Sequence, residues 1–374
     1  MNYLWQRLDW PNFRVNTRSL DAELIAYERT AGRLLGGIQA LPRSAQDDAL
    51  VDVLTEEAVR TSEIEGELLR RSDVASSIQR TLGLTDSAPV HDQRARGIAE
   101  ALVLIRSTYF ETLDAVMLHR WHSVLMAHDS KVSKGCWRSH PEPMQIVSGP
   151  MGRRRVHFEA PPSAEIPCEM QRFIDWFNRT APYGPEWIPS APVRAALVHL
   201  YFETLHPYED GNGRIGRMLA EKALVQTTGF AQPLSISAEL ERHRAEYYRQ
   251  LELAQRSSRR LEWVRYFVGV VRKAQSRGHD TVAFTVKKAK FYAIYGHQFN
   301  PVHEKVIARM FAAGPEGFEG GMSAAKYVGL TKVSKATATR HLLELSEMGA
   351  LKSFGNGRST RYSLQLDLDS PWPG

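Results

Sequence analysis

Cysteine is almost missing from this chain. Only Cys136 and Cys168 occur in 374 residues, far apart and outside any CxxC pair. That speaks against a disulfide framework and a cysteine zinc signature, and suits a reducing, cytoplasmic location. Long apolar runs are missing too. No segment approaches the ~18 apolar residues that a bilayer-spanning helix needs, so no membrane partner is expected. The opening "MNYLWQRLDWPNF" has no apolar signal core. Internal repeats and low-complexity tracts are absent. Alternating strand patterns are scarce and helix formers dominate, so the expected fold is mainly α. Nor is there a strong charge of one sign: 48 Lys and Arg against 42 Asp and Glu leave a net +6. That admits an anionic partner without requiring one. What remains, 43% hydrophobic and 24% charged, is ordinary globular composition. The length exceeds one core and predicts two or three domains.

Residues 1–95 read as helices. In "AQDDALVDVLTEEAVRTSEIEGE", Leu50, Val53, Leu54, Ala58 and Ile64 recur at roughly helical spacing, and Gly66 marks a break near its end. "SDVASSIQRTLGL", "VHDQRARGIAEALVLIRS" and "DAVMLHRWHSVLM" predict three more helices. "MQIVSG" and "RRRVHFEAPP", joined by turn residues Gly149, Pro150 and Gly152, predict a hairpin. Helices resume at "EMQRFIDWFNR" and "PSAPVRAALVHLYFETL". In the latter Ser190 is the candidate N-cap, Pro192 lies in the first turn, and Val193, Leu197 and Leu200 share a face. Three further helices, "RIGRMLAEKALVQTTG", "SAELERHRAEYYRQLELAQ" and "LEWVRYFVGVVRKAQ", lead to a polar stretch at 274–282 that reads as a domain boundary. Beyond it, residues 283–366 predict a helix, a helix-turn-helix and a hairpin around "GNGRS".

Between two predicted helices lies "HPYEDGNGRIGR", His206 to Arg217. "DG" and "NG" are turn signals, but a turn needs no flanking histidine and arginines. "GNGRIG" matches GxGxxG, yet a dinucleotide fingerprint follows a strand, and here a helix precedes it. As a calcium loop, "DGNGRIGRMLAE" lacks an oxygen ligand at its fifth position. The reading that survives is an anion site at a helix start. Gly211 and Gly213 let backbone N–H groups approach a phosphate, helped by the helix dipole. Arg214 and Arg217, three apart on the first turn, suit bidentate phosphate contacts, and the Asn212 side chain is a further donor. Asp210 offers the hard oxygen that Mg²⁺ prefers. His206 is the candidate general base at neutral pH. Pro207 fixes the backbone after it, and Tyr208 is the buried anchor.

This stretch resembles the signature HPFx[DE]GNGRxxR of Fic-domain proteins, with Tyr208 for Phe as the single departure. The resemblance covers residues 1–275. It implies a Fic-type helical core and transfer of AMP from ATP to a Ser, Thr or Tyr hydroxyl of a protein, with release of pyrophosphate. His206 would be the base, Asp210 the Mg²⁺ ligand, and Gly211, Asn212 and Gly213 the anion hole. Arg214 and Arg217 would hold the β- and γ-phosphates. The intact "GN" argues against the family's kinase-like branch.

Three other segments fit the same resemblance. "RAEYYRQLELAQ" resembles the part that encloses the adenosine, with Tyr247, Tyr248 and Leu251 in place and Gln255 where related sequences often carry Asn. Alone, the two tyrosines read equally as helix core and surface. The hairpin resembles the family's flap, which would hold a target segment by strand addition; Arg153, Arg154 and Arg155 form its solvated tip or favour an acidic target. "TSEIEG" resembles the inhibitory motif [ST]xxxE[GN], filled by Thr61, Glu65 and Gly66. Locally, Ser62 to Glu65 also reads as a capping box. By the resemblance, Glu65 would pair with Arg217 and block productive binding of the γ-phosphate.

The expected organisation is an N-terminal helical region with the inhibitory helix (1–95), a Fic catalytic core (96–275) and a domain at 283–374 that resembles winged-helix modules. Residues 301–366 carry nine Lys and Arg against five Glu. Ser334, Lys335, Thr337, Thr339 and Arg340 on the second helix, with Arg358 and Arg361 in the wing, would face DNA. Dimer contacts or target docking are the alternative. The leading expectation is an autoinhibited protein adenylyltransferase acting on another protein or on itself. A DNA-binding regulator with a nucleotide-sensing core, or a de-AMPylating phosphodiesterase, are the alternatives.

Overall fold

The computed structural model describes residues 3–86, 90–148, 155–257, 259–314 and 317–366. The chain divides into two compact units. The first comprises residues 1–35 and 50–278, the second residues 36–49 and 279–374. Of the expected N-terminal region, residues 1–35 and 50–95 lie in the first unit and residues 36–49 in the second.

The helices follow in order: α1 (Asp21–Gln39), α2 (Arg43–Ile64), α3 (Arg71–Thr81), α4 (Gln93–Ser107) and α5 (Ala115–Leu125). A hairpin, β1 (Gln145–Ser148) and β2 (Arg155–Glu159), precedes α6 (Ile166–Arg179), α7 (Ala191–Leu205), α8 (Asn212–Thr228), α9 (Ile236–Arg242), α10 (Arg244–Gln255) and α11 (Arg260–Tyr295). The fold is mainly α, as expected. Side chains cap several of these helices: Asp92 accepts from the first turn of α4 and Asp114 from that of α5.

Two sequence readings change. "SEIE" is not a capping box, because it closes α2 rather than opening a helix. Glu67 N–H donates to Ser62 C=O at 2.9 Å and Gly66 N–H to Glu63 C=O at 3.0 Å, with Gly66 at φ +86°. That is a Schellman end, which requires glycine in the left-handed region. Helix α7 is not one-sided: every residue from Ala191 to Leu205 is buried, as expected of a helix enclosed on all sides. Ser190 stands at its N-cap position, yet its hydroxyl makes no capping bond. The polar stretch 274–282 does contain the boundary between the two units, at Gly278 and His279, and the chain crosses it as the interior of α11. The periodicity of Val264, Phe267, Val268, Val271 and Ala274, all buried, carries through it. Gly278 is there because a Cβ would overlap the Pro233 carbonyl.

In the hairpin, β1 and β2 pair antiparallel with Gln145 opposite Glu159, and the register shifts between Ile146 and Val147. Arg256 donates to the carbonyls of His157 (2.7 Å) and Val156 (2.8 Å), tying β2 to the end of α10. The tip, including Arg153 and Arg154, lies outside the described residues, as does the side chain of Arg155.

The second unit contains α12 (Pro301–Phe311), α13 (Ala324–Thr331), α14 (Lys335–Glu347) and a hairpin of β3 (Leu351–Phe354) and β4 (Arg361–Leu364), with Met322 bridged to Tyr362. Its core is Phe291, Val306, Ile307, Met310, Tyr327, Leu342, Leu345 and neighbours. Ser334 caps α14 by accepting from Thr337 N–H at 3.1 Å. Lys335, Thr339 and Arg340 are exposed; the Arg358 side chain lies outside the described residues.

Candidate active site

The site is the junction of α7 and α8. Helix α7 ends at His206, whose backbone is left-handed (φ +47°, ψ +59°). A non-glycine residue in this region is strained and is held there by its surroundings. Much of that hold comes from Arg138, 2% exposed. Its Nε donates to His206 C=O (2.8 Å), and its NH2 to Pro161 C=O (2.5 Å) and Leu205 C=O (3.4 Å). Its NH1 donates to Ser163 Oγ at 2.8 Å, and its backbone N–H to Pro207 C=O at 2.9 Å. Burial lowers the Arg138 guanidinium to about 10. Nothing in "GCWRSHP" announced this residue, because its role depends on loops distant in sequence.

The loop after His206 is braced internally. Tyr208 is fully buried and stacks on His122, ring centroids 3.9 Å apart and planes 4° apart. Gly135 N–H donates to His122 Nδ1 (3.0 Å), leaving Nε2–H to donate to Asp210 C=O (3.1 Å). Burial lowers His122 to about 4, so it stays neutral. The Asn212 side chain is already engaged. Its Oδ1 accepts from Tyr208 N–H (2.9 Å) and its amide donates to Tyr208 C=O (2.8 Å). One of its two amide N–H groups is thus already committed to the loop. Gly211 is left-handed at φ +79°, and the first helical bond of α8 is Ile215 N–H to Gly211 C=O. The N–H groups of Asn212, Gly213 and Arg214 thus precede the ladder at the positive end of the helix.

His206 itself is half-buried, with 14% of its side chain accessible and Nδ1 unbonded, 3.8 Å from Glu203 Oε2. Burial first, then the nearby Arg138 charge, lower its pKa to about 4. Burial pushes Glu203 up to about 8, against the attraction of Arg217. Both are neutral at pH 7, so their approach is a polar contact rather than an ion pair. Glu203 lies one helical turn before His206, a spacing visible in the sequence yet not singled out there. Gly216 faces it: a Cβ there would overlap Glu203 Oε1.

Both arginines of the loop are held by acids at the end of α2. Arg217, 1% exposed, donates from Nε to Thr61 Oγ1 (2.7 Å) and from NH2 to Thr61 C=O (3.0 Å) and Glu65 Oε1 (2.7 Å). Burial pushes the Glu65 carboxyl up, but the charge and hydrogen bond of Arg217 outweigh this and leave it below its ordinary value. Arg214 donates to Glu67 Oε2 at 3.0 Å, a partner that sequence reasoning did not name. The glycine at 213 is needed here, since a Cβ would overlap Glu65 Oε1. The Asp210 carboxylate is 56% exposed at the loop mouth and accepts from Gly211 N–H at 2.5 Å.

The expected adenosine segment divides. Tyr248 is 39% exposed, and its hydroxyl donates to Ile64 C=O (3.2 Å) at the end of α2. Tyr247 and Leu251 are buried, and the Tyr247 hydroxyl meets His199 Nε2 at 3.3 Å. Gln255 is 1% exposed and its amide donates to Glu203 C=O (3.0 Å). It braces α7 rather than opening onto the loop, because the α10 face that carries it packs inward.

This geometry has known relatives. Residues 112–224 match the model of the Fic/DOC family. That segment resembles a Fic domain. Residues 3–84 match a domain of unknown function, DUF4172. The protein adenylyltransferase Fic of Nematostella vectensis is 24% identical over 237 residues, 62% of this chain and 49% of that protein. Its namesake in Drosophila willistoni is 35% identical over 120 residues, 31% of this chain and 22% of that protein. The chain thus spans about half the length, or less, of these curated relatives. Among solved structures, a Fic family protein from Desulfovibrio desulfuricans G20 superposes with a TM-score of 0.55 at 19% identity, covering 95% of this chain and 98% of its own. A Fic domain containing signaling protein from Bacteroides thetaiotaomicron VPI-5482 gives 0.53 at 18% identity, covering 72% and 97%. These likenesses show a shared fold. No helix among the described residues is long and apolar enough to cross a membrane.

Proposed function

We propose that this chain is a protein adenylyltransferase held in check by Glu65. The observation that carries the reading is a neutral, half-buried His206 just before the N–H groups that open α8, with Arg217 already tied to Glu65. His206 would take the proton of a target Ser, Thr or Tyr hydroxyl. That oxygen would bond to the α-phosphorus of ATP as the bond to the β-phosphate oxygen breaks and pyrophosphate leaves. The N–H groups of Asn212, Gly213 and Arg214 would stabilise charge on the phosphates, and Arg214 and Arg217 would hold the outer ones. The exposed Asp210 carboxylate fits Mg²⁺, which takes one or two carboxylates together with nucleotide phosphates and neutralises their charge. The β1–β2 hairpin would align the target segment by strand pairing.

With Glu65 on Arg217, the γ-phosphate would lack its partner and ATP would sit unproductively. The relatives named as adenylyltransferases support the activity. Incubation with ATP labelled in the α-phosphate and Mg²⁺ tests it. Weak labelling of the chain or of a lysate protein is expected, lost in His206→Ala. No labelling from wild type or Glu65→Gly would overturn the reading. Removal of label from a modified protein by water would instead favour the phosphodiesterase. The α13–α14 pair with its hairpin has the order of a winged helix. Its exposed Lys335, Thr339 and Arg340 support DNA contact as an added role, testable by salt-dependent retardation of DNA. Pairing of two chains through this unit is the alternative, read by sedimentation.

A further inference from the structure

The second unit contains a cluster of metal-ligating side chains unrelated to the phosphate site. His303 stands on α12; His341 and Glu344 stand three apart on α14 and so share a face. His303 is 2% exposed and His341 8%. Their rings are perpendicular, with centroids 4.7 Å apart. One ligand atom from each of the three residues lies within 4.8 Å of the other two. His303 Nε2 is 3.5 Å from Glu344 Oε2, too long for a good hydrogen bond. It does match the edge of a tetrahedron with metal–ligand bonds of about 2.0–2.1 Å, roughly 3.3–3.4 Å.

Two features of the cluster lack another explanation. Neither ring nitrogen of His303 has a hydrogen-bond partner among the described residues, although both are buried. A buried polar atom left unpaired costs about 1–3 kcal/mol, and an unplaced ion is a standard reason for one. The second feature is the orientation of His341. Its Nδ1 lies 2.9 Å from the hydroxyl of buried Tyr327. With Nδ1–H donating to that oxygen, the Nε2 lone pair is free, which is how a neighbour fixes a metal-binding histidine. Glu344 keeps 39% of its side chain accessible, which gives an ion a way in. Its other cationic neighbour, Arg340, is 68% exposed and 3.5 Å away, so it can yield.

We propose that His303, His341 and Glu344 bind one divalent transition-metal ion of the zinc class. Two imidazoles and a carboxylate suit such ions better than Mg²⁺ or Ca²⁺, and water would complete the coordination. The ion would join α12 to α14 across the core of the second unit and fix the helix that carries Lys335, Thr339 and Arg340. This inference stands apart from the adenylyl-transfer reading.

The test uses the untagged full chain, stripped with a chelator and titrated with Co²⁺, then Zn²⁺. One Co²⁺ per chain is expected, with the intense visible absorption of a four-coordinate site, displaced by Zn²⁺. His341→Gln and Glu344→Gln should each weaken binding at least about tenfold, and Tyr327→Phe by roughly ten- to hundredfold. Glu344 is half-exposed, so Glu344→Gln decides the matter if a histidine variant does not fold by circular dichroism. No stoichiometric Co²⁺ uptake by wild type overturns the proposal. So does uptake unchanged in Glu344→Gln, or uptake lost only in Asp210→Ala.

Discussion

Glycine at position 65 removes the carboxylate that Arg217 now holds. The contact is 2.7 Å, with Arg217 1% and Glu65 30% accessible. A charge-assisted hydrogen bond of this kind contributes about 1.5–3 kcal/mol. After the substitution, Arg217 keeps the Thr61 hydroxyl and carbonyl. The fold therefore loses less than the ~3–5 kcal/mol that follows when a buried charge is stranded. A γ-phosphate reaching Arg217 must displace Glu65, so the same 1.5–3 kcal/mol opposes productive binding. At about 1.4 kcal/mol per decade, Glu65→Gly should raise the initial rate of AMP incorporation roughly ten- to hundredfold at limiting ATP. Glu65→Gln keeps the backbone and removes the charge, so it should give an intermediate rise and separate competition from fraying of α2. The assay is incorporation of α-phosphate label, with a urea melt to verify folding. A folded Glu65→Gly protein that labels at the wild-type rate refutes the reasoning.

Glu67→Gln should release Arg214 in the same manner, with a rise of about tenfold or less, because the Arg214–Glu67 contact is the longer one at 3.0 Å. The double variant with Glu65→Gln should exceed either single one in the labelling assay. Arg138→Met removes the four side-chain donor contacts that hold His206, Leu205, Pro161 and Ser163. It should lower stability by about 2–4 kcal/mol in a urea melt and lower kcat more than KM for ATP, since the base is misplaced while the phosphate loop remains. Chelation of Mg²⁺, or Asp210→Ala, should abolish labelling without shifting the thermal midpoint. The pH dependence is a balance: Glu203, raised to about 8, stabilises the fold as pH falls from 8 toward 4.5, and three histidines, which outnumber it, act the other way. His206 and His122, at about 4, and His199, at about 3, are lowered by burial from 6.5. Below 6.5 the unfolded chain takes up protons that the folded chain refuses. Their contribution to stability is therefore complete above pH 6.5 and declines as pH falls toward 4 and 3. Thermal midpoints that stay constant from pH 7 to pH 4.5 would contradict this.

Local rules made much of the chain legible. Glycine and proline placement marked the end of α2 at Gly66, the turn at Gly211 and the start of α7. The twelve residues from His206 to Arg217 announced an anion site, because the chemistry of a helix N-terminus is written in adjacent positions. Polarity at 274–282 marked the boundary between the two units but not the continuation of α11 across it: polar residues without proline extend a helix when one face still packs.

Burial and long-range partners were decided only by tertiary structure. Sequence spacing could not say that α7 is enclosed on every side, or that Gln255 turns inward to the Glu203 carbonyl rather than outward. It gave Asn212 as a donor, whereas folding commits one of its amide N–H groups to Tyr208. Arg138 had no signal at all, since the carbonyls it gathers come from separate loops. The pairing of Arg217 with Glu65 is intermediate. A resemblance supplied it, but no local rule joins residues so far apart in the chain. The sequence by itself determines which groups can bind an anion, because that depends on neighbours in the chain. Which of those groups are free, and which are already held, depends on what the fold packs against them.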